Sequence, residues 1–141
     1  MSKIPLKLRH AVVQRAAQQC EYCRLPMSGQ VATFPVDHVV PESRSGPTSM
    51  INLALACPHC NSFKWAYDRE TDPVTGQITM LFNPRTQSWA DHFEWSRRAS
   101  VRLEGKTPCG RATIERLQMN APTMWEARRI LRLAGVKMDR R

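Results

Sequence analysis

Two cysteine pairs constrain this chain more than any other feature. Cys20-Glu21-Tyr22-Cys23 and Cys57-Pro58-His59-Cys60 are both C-x2-C, with 33 residues between Cys23 and Cys57. A C-x2-C turn delivers two thiolates to one ion, and zinc takes four such ligands in a tetrahedron. Cys20, Cys23, Cys57 and Cys60 are therefore expected to bind one zinc, which makes two distant turns neighbours. Four thiolates exceed the charge of the ion and leave no place for water, so the role is structural. The competing reading is redox-active cysteine, but no thioredoxin-type strand–helix setting surrounds either pair. Cys109 is left over and is expected as a free, partly buried thiol.

A chain of 141 residues fits one domain with a modest core. Its 42% hydrophobic content excludes a disordered tail. Lys and Arg number 21 against 12 Asp and Glu, a net charge of +9. That excess suits a polyanionic partner, because each phosphate neutralised releases a counterion. A basic protein with no nucleic-acid role fits the charge equally well. No stretch approaches the roughly 20 apolar residues of a membrane span. The basic run Met1–Arg9 is followed by no apolar stretch with a small-residue cleavage site, so no secretory signal is expected. With metal-type cysteine spacing and no leader, a cytoplasmic protein is the expectation.

The pattern along the chain is mixed. Residues 5–19 read as a helix, with Pro5 in its first turn and Leu8, Val12, Val13 and Ala16 as the inward stripe. Arg9 and Arg15 lie off that stripe, solvated or near phosphate. Residues 31–40, rich in Val, Thr and Phe, read as a strand interrupted near Pro35 and ended by Pro41. Residues 41–50 are a loop. Residues 51–56 fit a short strand or a helical turn, and their brevity favours the strand. A helix is expected from Pro58 or Asn61 to Glu70, then a turn at 72–76 and a strand over 77–82. A short helix and a strand fit 86–100, a strand continues over 101–103, and Glu104-Gly105-Lys106 reads as a turn. Helices are expected over 110–119 and from Pro122 to Ala134. The second would start with Thr123 and Glu126 as a capping box and stop at Gly135.

One run carries more specific information. Asp37-His38-Val39-Val40-Pro41, then Asn52-Leu53, then Cys57-x2-Cys60-Asn61-x2-Lys64 resembles the zinc-knuckle type of HNH endonuclease. The resemblance covers residues 20–64. It implies a ββα-metal fold, two antiparallel strands and a helix around one catalytic metal, which the pattern over 31–70 also suggests. The third signature position is often His; here it is Asn61, an H-N-N variant, and Asn occurs there in active members. The implied architecture is α+β. A ββα-metal core with a structural zinc on four cysteines would be flanked by the N-terminal helix and a C-terminal mixed strand and helix extension. The whole of 1–141 would be one nuclease domain, with its core at 20–70 and the extension at 71–141.

Hydrolysis of a phosphodiester needs an activated water, neutralised phosphoryl oxygens and a stabilised leaving oxygen. Histidine is the side chain suited to a general base at neutral pH, and His38 has that role in this reading. Asp37 and Asn61 would offer oxygen ligands to a hard ion, Mg2+ or Mn2+, with waters and phosphate completing the shell. Neighbours on a strand point to opposite faces. Asp37 and His38 therefore serve together only if the strand bends or if metal and base flank the phosphate. The resemblance gives Asn52 a structural part, tying the loop to the strand and so orienting His38. His59, inside the knuckle, is expected as an exposed turn residue. Lys64 either approaches a phosphate or covers apolar surface with its stem.

Residues 81–95 and 107–120 look similar to an extension found in one bacterial subgroup of the family, which implies no particular chemistry. Arg85 and His92 are candidate DNA contacts there, while Trp89, Phe93 and Trp95 read as core. The last helix carries Arg128, Arg129, Arg132 and Lys137, and Arg140-Arg141 follow. That is a DNA-backbone face or a solvated face, and clustered cations favour the former. The reading is a metal-dependent DNA endonuclease with no membrane partner and an open oligomeric state. The alternative is a zinc-containing DNA-binding module that has lost activity.

Overall fold

The computed structural model describes residues 4–138, so Met1–Lys3 and the Arg140-Arg141 pair lie outside the described residues. The fold is α+β. Its strands pair as three separate two-stranded antiparallel sheets.

Helix α1, Leu6–Arg15, follows Pro5 and buries Val12, with Ala16 just past its end. It packs on β2. Its off-stripe arginines, Arg9 half-buried and Arg15 exposed, also bond backbone carbonyls. Arg9 donates to Phe34 O at 2.6 Å, and Arg15 donates to Met50 O at 2.6 Å and Leu53 O at 2.5 Å. They tie α1 to the segment that enters β1, Val36–His38, and to the start of β2. The expected helix to residue 19 stops early because Ala17 and Gln18 take positive φ.

Strands β1, Val36–His38, and β2, Leu53–Leu55, pair with Val36 opposite Leu55, Asp37 opposite Ala54 and His38 opposite Leu53. Only three residues of the expected 31–40 strand join this ladder, and 31–33 are exposed. Every residue of β2 is buried, as expected for a strand between a helix and a sulfur cluster. Helix α2, Pro58–Lys64, follows at once, with Pro58 at its first position and Cys57 as its cap. Strand, loop, strand and helix form the ββα unit.

The expected run of α2 to Glu70 does not occur. Trp65 turns out of the helix with φ 46, and Glu70 joins β3. Strand β3, Arg69–Thr71, pairs with β4, Ile78–Met80. Asp72 draws the chain out of helix: its carboxylate accepts from the Val74 and Thr75 amides and the Thr75 hydroxyl, closing the 72–76 turn.

Helix α3, Trp89–His92, leads into β5, Phe93–Trp95, which pairs with β6, Leu103–Gly105. Glu104 and Gly105 are therefore strand, not turn. A side chain at Gly105 would meet the Arg111 backbone at 2.5 Å, so this glycine serves close helix packing. Helix α4, Pro108–Leu117, is capped by Thr107, whose hydroxyl accepts from Gly110 N at 3.0 Å. It packs against α2, β3, β4 and β6. Helix α5, Pro122–Leu133, starts after Ala121 with no side-chain cap. The Thr123–Glu126 capping box is not formed, because Thr123 already lies inside the first turn.

One apolar cluster joins both halves, from Val12, Tyr22, Phe34 and Leu55 to Phe82, Trp89, Phe93 and Leu117. Trp89, Phe93 and Trp95 are core, and the Trp89 indole donates to Tyr22 O at 2.8 Å. Cys109 is half-buried and free.

Candidate active site

The cysteines come together as their spacing demands. The sulfurs of Cys20, Cys23, Cys57 and Cys60 all lie within 4.8 Å of one another and are sealed from solvent. Cys23 Sγ and Cys57 Sγ are 3.7 Å apart. Four sulfurs ~2.3 Å from one zinc would stand about 3.8 Å apart, so the set fits that ion. Each knuckle also turns an amide on its first sulfur: Cys23 N on Cys20 and Cys60 N on Cys57, both at 3.4 Å. Such donors offset thiolate charge. Thiols this close compete for protons. Hydrogen bonds from Cys20, Cys57 and Cys60 pull Cys23 well below the usual thiol range, while Cys20 and Cys23 push Cys57 and Cys60 up. A divalent cation would resolve that competition in favour of four thiolates.

A cleft of about 430 Å3 is lined by Asp37 and His38 of β1, Glu42 and Ser43 of the loop, Asn61 of α2 and Trp65 at its end. Strand alternation holds across β1. His38 is half-buried, with Nε2 2.8 Å from Thr48 Oγ1 and Nδ1 4.0 Å from Glu42. Asp37 points inward and is 5% exposed.

Asp37 is gripped from two sides. The Tyr22 hydroxyl donates to Oδ2 at 2.6 Å, and the Lys64 ammonium lies 3.0 Å from Oδ2 and 3.3 Å from Oδ1. Burial pushes the Asp37 carboxyl above the usual range, and the pull of Lys64 and Tyr22 offsets this only in part. Burial first, and Asp37 second, raise the Tyr22 phenol, so it remains a donor. A carboxylate has about four acceptor positions, and the Tyr22 and Lys64 hydrogen bonds occupy two, since the other two Lys64 protons go to His38 O and Val39 O. Positions remain for a hard cation, and the Asn61 amide oxygen, which lines the same cleft, would offer a second oxygen ligand. Magnesium-type ions are held by few protein ligands, so the residues present fit such an ion.

Asn52 holds the loop. Its Oδ1 accepts from Val40 N at 2.9 Å, and its Nδ2 donates to Val40 O at 3.0 Å and Pro47 O at 2.9 Å. The side chain bridges both ends of the loop without reaching the imidazole. Gly46 makes the fold-back possible, since a Cβ there would stand 1.8 Å from Val40 O.

Several basic residues read as DNA contacts have other occupations. Lys64 is 1% exposed and also donates to His38 O at 3.2 Å and Val39 O at 3.1 Å, so it faces no phosphate. Arg85 is paired with buried Glu21, whose second oxygen accepts from Leu55 N at 2.8 Å. Arg128 is buried and donates to Val101 O and Met119 O. His92 bonds Thr107 Oγ1 at 2.7 Å and packs on Phe82. In each case buried carbonyls, carboxylates or hydroxyls claim the side chain, since leaving polar groups unpaired is costly. Arg129 and Arg132 are exposed, beside Glu126 and Ser100. His59 is a helical, half-buried residue that bonds Gln118 O at 2.8 Å and packs on Phe63, not an exposed turn.

Tyr22, Glu42 and Thr48 belong to the site but carried no role in the sequence reading. Tyr22 sits inside a cysteine pair, and a Tyr so close to structural ligands was the available signal. Thr48 and Glu42 lie in the loop, where only the fold-back brings them to His38.

The model of the HNH endonuclease family matches residues 20–65, from the first knuckle cysteine to the end of α2. Compared with curated proteins and with solved structures, the chain matches none.

Proposed function

We propose that this chain, whose residues 20–65 form an HNH endonuclease domain, hydrolyses phosphodiester bonds of DNA in a metal-dependent reaction. One observation carries the reading: Asp37, His38 and Asn61, from two elements, line a single cleft. In this reading His38 is the general base. Its Nε2 is engaged by Thr48, which leaves Nδ1 to take the proton from water. Glu42, 4.0 Å from Nδ1, then favours the imidazolium that results.

Asp37 and Asn61 would hold a divalent ion, Mg2+ or Mn2+, which supplies Lewis acidity at the phosphate and stabilises the leaving oxygen. Lys64 and Tyr22 aim the Asp37 carboxylate. Asn52 and Gly46 fold the loop so that Thr48 reaches His38. The zinc that the four cysteines fit is structural and reaches the cleft through Tyr22 on one knuckle and Asn61 next to Cys60. DNA is the substrate class that the family and the +9 charge favour.

Incubation of supercoiled plasmid with the protein and Mg2+ or Mn2+ tests the proposal. Nicked or linear product that EDTA suppresses and His38→Ala lacks is the expected result. A wild type that binds plasmid without cutting it would leave the inactive DNA-binding module instead.

A further inference from the structure

Trp65 is a large aromatic residue that the core does not use. It is 75% exposed, although a packed indole buries on the order of 150–250 Å2. Its backbone sits at φ 46, ψ −119, outside the regions a large side chain prefers. Such strain persists only where the surrounding structure imposes it, and it clusters at functional sites. Glycine would occupy the position freely. The other non-glycine residues at positive φ among those described are Ala, Gln, Arg and Ser, and Trp65 is the one aromatic.

The strained turn places the indole at the rim of the cleft that His38 and Asn61 line. Tyr67 meets it edge-on, with ring centres 6.2 Å apart at 67°. Tyr67 is itself held by the Arg116 guanidinium, 4.2 Å over its ring, and Arg116 pairs with Glu70 at 3.3 Å. An edge-on contact steadies the indole and leaves flat surface uncovered. The adjoining cleft wall, with Pro35, Val36 and Pro41, is apolar.

We propose that Trp65 is a stacking platform for a nucleobase next to the scissile phosphate, so that the preferred substrate is DNA with an unstacked base at that point. This rests on the nuclease reading for the position of the phosphate. A base lies one sugar away from its phosphate, so a phosphate at His38 and Asn61 brings a base to the rim. In continuous duplex both faces of each base are covered by neighbours. A bulged, mismatched or single-stranded base offers a face, and stacking on an aromatic side chain is worth ~1–3 kcal/mol, roughly 5- to 150-fold in affinity.

The test uses the full chain and two DNAs of equal length, one a continuous duplex and one with a single bulged 2-aminopurine. Binding is measured with no added divalent metal and no chelator at fixed salt, and cutting in Mn2+. The wild type should bind the bulged DNA about tenfold or more tightly than the duplex and quench the 2-aminopurine. Trp65→Ala and Trp65→Gly should bring the ratio of affinities close to one, and Trp65→Phe should keep most of it. Trp65→Gly should melt no lower than wild type. Equal wild-type affinities, an unchanged ratio in Trp65→Ala, or unfolding of Trp65→Gly would overturn the proposal. A bulge preference without metal-dependent cutting would sink the nuclease reading alone. Cutting of both DNAs with no dependence on Trp65 would sink the stacking platform alone.

Discussion

Helix α2 serves two sites that differ in kind. At its start Cys57 and Cys60 complete a sulfur cluster whose four members are shut off from water. One turn later Asn61 and Trp65 face a cleft that stays open beside His38. The first set would saturate a tetrahedral ion by itself and leave nothing for chemistry. The second, in the proposed reading, would provide few ligands and leave room for water and substrate. A saturated site holds structure together, and an unsaturated one acts on something else. Changes at the sulfurs should therefore act on folding, and changes in the cleft on turnover.

Metal removal should have the largest effect. Structural zinc contributes ~10–16 kcal/mol in small domains, against a total stability of about 5–15 kcal/mol. About one zinc per chain should be found by metal analysis, and chelation or Cys57→Ser should abolish the cooperative unfolding transition seen by circular dichroism. A chain that melts normally after its zinc is stripped would break the comparison.

His38→Ala should leave the melting curve close to wild type and lower the cutting rate by about 10^2- to 10^4-fold. A comparable loss of stability would instead mark His38 as a core residue.

Lys64→Met sharpens the contrast because Lys64 is buried like the sulfurs yet holds a residue of the cleft. It leaves Asp37 buried without its cation, which typically costs about 3–5 kcal/mol. Urea unfolding should show a loss on the order of that cost, and cutting should fall as the carboxylate loses its aim. A stable, fully active variant would show that Lys64 neither supports nor positions Asp37.

The smallest effect concerns acid. Two buried carboxylates have opposite tendencies. Arg111 forks onto Asp72, with both contacts at 2.9 Å, and holds its carboxyl well below the usual range, while burial holds Asp37 above it. The stability Asp72 contributes is present above the ordinary carboxylate pKa near ~4 and is lost as pH falls through its depressed value. Asp37 has the reverse sign: its contribution is present below that ordinary value and fades as pH rises through its raised one. Asp72→Asn should therefore flatten the fall in urea midpoint below about pH 4. An unchanged acid limb would show that the Arg111 pair does not hold in solution.

Much of the ββα unit was readable because its signals are local. C-x2-C spacing, a β-branched run ended by Pro41, and Pro58 at a helix start each act within a few residues. The helical reading to Glu70 failed on a single backbone turn at Trp65 and a carboxylate cap at Asp72. The basic residues were the weakest part. Arg9, Arg15, Lys64, Arg85 and Arg128 look alike in a sequence, yet each is drawn to a particular carbonyl or carboxylate.

By itself, then, the sequence determined that four cysteines converge, that an acid–histidine strand precedes the second pair, and that Asn61 follows the last. Covalent neighbourhood and short-range backbone preference decide such matters. Only the tertiary structure decided that Asp37 turns inward to Tyr22 and Lys64, that Thr48 holds His38, and which cations remain at the surface. Those outcomes depend on which buried polar groups need a partner. That need arises only when segments far apart in the chain are brought together away from water.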